Sequence, residues 1–168
     1  MHCPSCSLLV ALGLLVLGSA AAQAAGTVSV SYIQPDKFAD AADARRDIEG
    51  NLSALTRHLE LLGERHLSTG QKLTIEVLDV DLAGEVRPLR RLQQDVRVLK
   101  GGVDWPRIKL RYTLESPGQP TRRDEQTVAD MAYLQRISRY PDGESLQYEK
   151  RMLDEWFVAQ FGAAAAAR

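Results

Sequence analysis

The densest grouping of side chains able to do chemistry is Asp79, Asp81 and Glu85. If the segment is a strand, residues 79 and 81 share a face, and Glu85 follows just past Gly84. Hard cations such as Ca²⁺ and Mg²⁺ take clustered carboxylate oxygens of this kind. The run lacks the alternating oxygen ligands and closing glutamate of a calcium loop, so the three acids are an incomplete metal set. The reading preferred is a strand end whose acids pair with nearby arginines. Those arginines form the second group: Arg87, Arg90 and Arg91, then Arg97, Arg107 and Arg111. Guanidinium forks suit phosphate or carboxylate. Acids are as numerous as bases, however, and Arg97 and Arg111 fall at alternating strand positions expected to face water, which favours a solvated, ion-paired surface. Asp79, Asp81, Glu85, Arg87, Arg90 and Arg91 are the candidate binding residues, with Trp105 as a half-exposed aromatic. No catalytic residue is assigned.

Other chemistries find less support. His58 and His66 stand eight apart, not at the i, i+4 spacing that clasps zinc on a helix. His66 suits the negative end of a helix dipole. Cys3 and Cys6 make a C-x-x-C pair, but one that precedes an apolar run rather than a strand-to-helix turn. No P-loop, G-x-G-x-x-G or G-x-S-x-G motif occurs. No cofactor is expected. A hydrolase built on a carboxylate pair stays open, because its geometry is tertiary.

The elements that must position these residues follow from periodicity. Thr27 to Ile33 alternates, with Val28, Val30 and Tyr32 on one face. Ile48, Leu52, Leu55, Leu59 and Leu62 make one apolar stripe on a helix expected over residues 40–67. In Lys72 to Leu82 the apolar residues are odd-numbered to Val77 and even-numbered from Leu78, so a bulge is expected near Val77 and Leu78. Residues 83–94 read as an Arg-rich connection, with a light helical turn through Val86, Leu89 and Leu92. Strands are expected over 95–99 and 107–114, and an edge strand over 122–128 after a Pro-Gly turn. A short helix is expected over 129–137, presenting Met131, Tyr133, Leu134 and Ile137, and a longer one over 145–161. This order favours an α+β fold: a mostly antiparallel sheet of four to five strands, with one helix from the N-terminal half and a C-terminal helix packed on it.

Composition sets the outer limits. The 168 residues carry 21 Lys and Arg against 22 Asp and Glu, a net charge of −1. Such a balance gives no general attraction to nucleic acid or to an anionic membrane. The first 25 residues hold no charged side chain, and both cysteines lie among them. Leu8 to Leu17 is apolar throughout apart from Gly13, and Ala22-Gln23-Ala24 follows. A short apolar run before an A-x-A site reads as a secretory signal peptide over 1–25, too short for an anchor, with cleavage after Ala24 or Ala25. That leaves one domain over 26–161, free of cysteine, and an Ala-rich tail over 162–168 expected to fray.

Several runs, among them DVDLAGE at Asp79–Glu85, WPRI at Trp105–Ile108 and YEKRMLDEWF at Tyr148–Phe157, resemble the bacterial family of unknown function numbered 3016. The resemblance extends from about Val28 to Phe161. It implies a small exported protein of Gram-negative bacteria in a periplasmic setting, and it implies no activity. The expectation is therefore a periplasmic binding or accessory protein, not an enzyme, whose partner is an envelope protein or a small molecule. Two other readings stay open: a cation-dependent or carboxylate-based hydrolase of envelope material, and a module dimerising through the edge strand near 122–128.

Overall fold

Alternation starts the fold. In this computed structural model, residues 26–41, 48–89, 94–137, 139–141 and 144–162 are described. The expected signal segment, both cysteines, Arg90, Arg91 and the Ala-rich tail lie outside them. Strand β1 (Thr27–Tyr32) turns Val28, Val30 and Tyr32 toward the core and its small polar residues outward. Helix α1 (Ile48–His66) follows, and β2 (Lys72–Asp81) runs parallel to β1, so α1 is the crossover such a pair requires. The expected start of α1 at residue 40 is corrected in part. Asp40 instead bridges to Asp81 in strand fashion, accepting the Leu82 N–H and donating to the Val80 carbonyl. Residues 42–47 are outside the described set.

Antiparallel pairing then takes over. Strand β5 (Arg107–Glu115) pairs with β2, and β6 (Arg122–Ala129) pairs with β5, in the spatial order β1-β2-β5-β6. The sheet is thus mixed, with β6 at an edge as expected. The parity switch in β2 is a bulge: Val77 opposes Leu110 and Asp79 opposes Lys109, so Leu78 is the extra residue. Its effect is to keep both Val77 and Val80 on the buried face.

Two expectations are corrected here. Residues 85–89 form a strand, β3 (Glu85–Leu89), not a connection with a helical turn. It pairs only with β4 (Gln94–Val98), so the strand read near Asp95–Leu99 lies outside the main sheet. Pro88 is tolerated because this two-stranded ribbon is all edge. Residues 131–137 are a series of turns, not a helix.

Helix α2 (Gln147–Phe161) and α1 both lie on one face of the sheet. Leu55, Leu59 and Leu62 meet Leu73, Ile75, Leu110, Leu153 and Phe157 in one cluster. Each such leucine withdrawn from water stabilises the fold by about 1.5–3 kcal/mol. The sheet's other face is polar, with Glu76, Arg111 and Glu125 abreast on three neighbouring strands.

Candidate functional site

The acids singled out by spacing do not converge. Asp79 Oδ1 accepts the Ala39 N–H at 2.8 Å. Asp81 pairs with Arg107, its register partner on β5. Glu85, at the start of β3, pairs with Arg87 at 3.3 Å and with Lys100. The Lys100 ammonium, and after it the Arg87 guanidinium, hold the Glu85 carboxyl below its ordinary value. Among the described residues no group of three or more His, Cys, Asp or Glu is placed to hold a metal ion. Trp105 is half-buried, with the Arg107 guanidinium over its ring.

Arg97 corrects the expectation that it faces water. Its side chain is 16% exposed, and its guanidinium donates to Asp40 and to the carbonyls of Ala83 and Gly84. The reason is local: β4 lies over the sharp turn at Gly84, whose φ is +86°. A Cβ there would sit 2.7 Å from the Val98 carbonyl, so no other residue lets the two backbones approach so closely.

Below this turn lies a buried polar network that joins the distant sequence runs. Glu149 of α2, 3% exposed, accepts the Ala83 N–H at 2.8 Å. The Gly84 N–H donates to the Asp104 carbonyl at 3.0 Å. Asp104 in turn accepts the Lys100 N–H and the Tyr133 hydroxyl, at 2.7 and 2.9 Å. Burial pushes the Tyr133 hydroxyl up to about 12, and its hydrogen bond to Asp104 adds to the effect. Arg151 of α2, 4% exposed, donates to Asp130 at 2.9 Å and to the Tyr133 carbonyl at 2.6 Å. The network therefore fixes the β3–β4 ribbon, the 100–106 loop and the 130–136 turns to α2.

That rigid end carries an apolar surface which spacing misassigned. Ile137 is 95% exposed, Val103 78%, Met131 68% and Leu134 46%. The two segments touch, since a Cβ on Gly101 would lie 3.1 Å from Leu134 Cδ1. The spacing of Met131, Leu134 and Ile137 fits a helix face packed on a core. Only Tyr133, of the residues assigned to that face, is buried. A run of apolar residues without a helix of its own was the available signal.

A second cluster links the two helices. His58 Nε2 lies 2.8 Å from Asp154 Oδ1 and 3.2 Å from the Lys150 carbonyl. Both neighbours are acceptors, so the hydrogen-bond network assigns the proton to Nε2. Tyr140 donates to the other Asp154 oxygen at 2.7 Å. Burial acts to raise the Asp154 carboxyl, but the hydrogen bonds from His58 and Tyr140 outweigh it and hold it low. The His58–Asp154 pair ties α1 to α2.

Fold and site together define an α+β protein with two helices on one face of a mixed sheet and a clamped ribbon beside it. The chain belongs to the family of unknown function DUF3016, whose match covers residues 26–159. No curated protein and no solved structure matches the chain. Among the described residues no helix is long and apolar enough to cross a membrane.

Proposed function

We propose that the protein is exported to the periplasm and acts there without catalysis, by docking a partner protein on the ribbon end of the fold. The observation that carries this reading is the exposed apolar group Val103, Met131, Leu134 and Ile137, held on a backbone tied to α2. Contiguous exposed apolar side chains rimmed by charge are the usual mark of a protein interface. The segments that carry this group also hold Lys100, paired with Glu85, and Arg136, paired with Glu155.

Export is supported by the signal-like leader. Gly26 is buried, and a Cβ on it would lie 2.3 Å from Leu67 Cβ. Cleavage after Ala24 or Ala25 leaves β1 whole. N-terminal sequencing of protein from the periplasmic fraction should begin at Ala25 or Gly26. A chain that retains Met1 and stays in the cytoplasm would sink this part.

Docking is tested with Met131→Asp and Ile137→Asp, both at exposed positions and so compatible with folding. In-cell cross-linking followed by mass spectrometry should lose specific partner bands in both variants while melting temperature holds. An unchanged cross-linking pattern would overturn the proposal. Concentration-dependent self-association that these variants abolish would overturn it too, by making the occupant a second copy of the chain.

A further inference from the structure

At the opposite end of the sheet, the C-terminal ends of α1 and α2 meet the β5–β6 turn around a cavity of about 190 Å³. Its floor is apolar: Leu114 and Phe161, both buried. Arg65, His66 and Arg122 stand in its walls, with Gln71 and no lining Asp or Glu among the described residues. Arg87, Arg97, Arg107, Arg111, Arg136 and Arg151 each hold a carboxylate. Arg65 and Arg122 make no ion pair with any described residue.

A simpler account covers part of this. Two helices end here, each carrying about half a negative charge at its C-terminus, and cations in the last turn offset it. Arg65 and His66 are so explained, being in the last turn of α1. Arg122 is not, since it arrives from β6, directly opposite Leu114 on β5. Two guanidinium charges against about one unit of dipole charge leave the cavity positive.

Size and lining then choose the ligand. A cavity of about 150 Å³ accepts benzene, whereas pockets for drug-sized molecules run from about 300 to 1,000 Å³. The cavity has room for a short carbon skeleton. Inorganic phosphate would satisfy the arginines but make no apolar contact with the edges of Leu114 and Phe161 that line the cavity. We propose that this cavity binds a small organic carboxylate, its charged group between Arg65 and Arg122 and its carbon skeleton on Leu114 and Phe161. Guanidinium forks match carboxylates in two-point contacts, which makes arginine rather than lysine the fitting residue. This site is independent of the docking surface, and either can fail without the other.

The test is titration calorimetry of the folded protein with benzoate, hexanoate, succinate and inorganic phosphate in a chloride buffer. Benzoate or hexanoate should bind, and Arg65→Gln and Arg122→Gln should each raise Kd at least about tenfold, the loss expected when a charge-assisted hydrogen bond goes. Arg122→Lys should fall between. Both positions are exposed, and circular dichroism with urea unfolding confirms that the variants fold. Carboxylates that bind no more tightly than chloride would overturn the proposal, and so would an unchanged Kd in Arg122→Gln. Phosphate binding as tightly as hexanoate would overturn the assignment to carboxylates.

Discussion

At the scale of residues, the polar side chains divide into those that hold the fold and those left to meet a ligand. Tyr133 and Asp104 belong to the first kind. Burial raises the Tyr133 hydroxyl from 10.0 to about 12, so the folded chain keeps this proton over a range where the unfolded chain has lost it. The stability it contributes is whole below about pH 10 and is lost as the pH rises to about 12. Urea unfolding across that window should show a downward slope that Tyr133→Phe reduces. At neutral pH the same substitution should cost about 1 kcal/mol, one hydrogen bond. An equal slope in both proteins would remove Tyr133 from the account. Arg97 shows where reading by residue type stops. Strand alternation placed it toward water, but one of its acceptors, Asp40, lies 57 positions away and is itself held by the Asp40–Asp81 bridge.

At the scale of elements, legibility tracked how strongly one face must be buried. The β2 bulge was readable because a period of two cannot keep both Val77 and Val80 inside unless one residue is inserted. Strand β3 was not readable. Its five residues include Pro88 and two charges, and its only pairing partner is β4. The 131–137 turns were mistaken for a helix because their apolar spacing fits one. The acceptors in that segment go elsewhere: the Tyr133 and Arg136 carbonyls receive Arg151. Close approach of elements was equally hidden. A Cβ on Gly63 of α1 would come within 2.1 Å of Val28 Cγ2 on β1. Gly63→Ala should therefore destabilise by about 1–3 kcal/mol by overpacking, although alanine is the better helix former. Thermal melts decide it. A rise in melting temperature would mean that β1 moves aside easily.

At the scale of the molecule, the fold has two parts of unequal independence. The four-stranded sheet and its helices share one apolar cluster, and no described side chain of the β3–β4 ribbon is a member of it. Replacing residues 85–98 with a Gly/Ser linker should leave the helical and sheet signals intact. It should cost about 2 kcal/mol, chiefly the bonds Arg97 makes at the root. Global unfolding in the linker protein would show the ribbon to be part of the core instead. The α+β class, both long helices and the edge strand were decided by the chain's own periodicity, because burial of one face imposes a local repeat that sequence displays directly. Tertiary structure alone decided the parallel pairing of β1, the network joining Glu149, Asp104, Tyr133 and Arg151, and the placing of Arg65 and Arg122 around one cavity. Such contacts depend on which strands and helix ends become neighbours, and the spacing of residues along the chain carries no record of that.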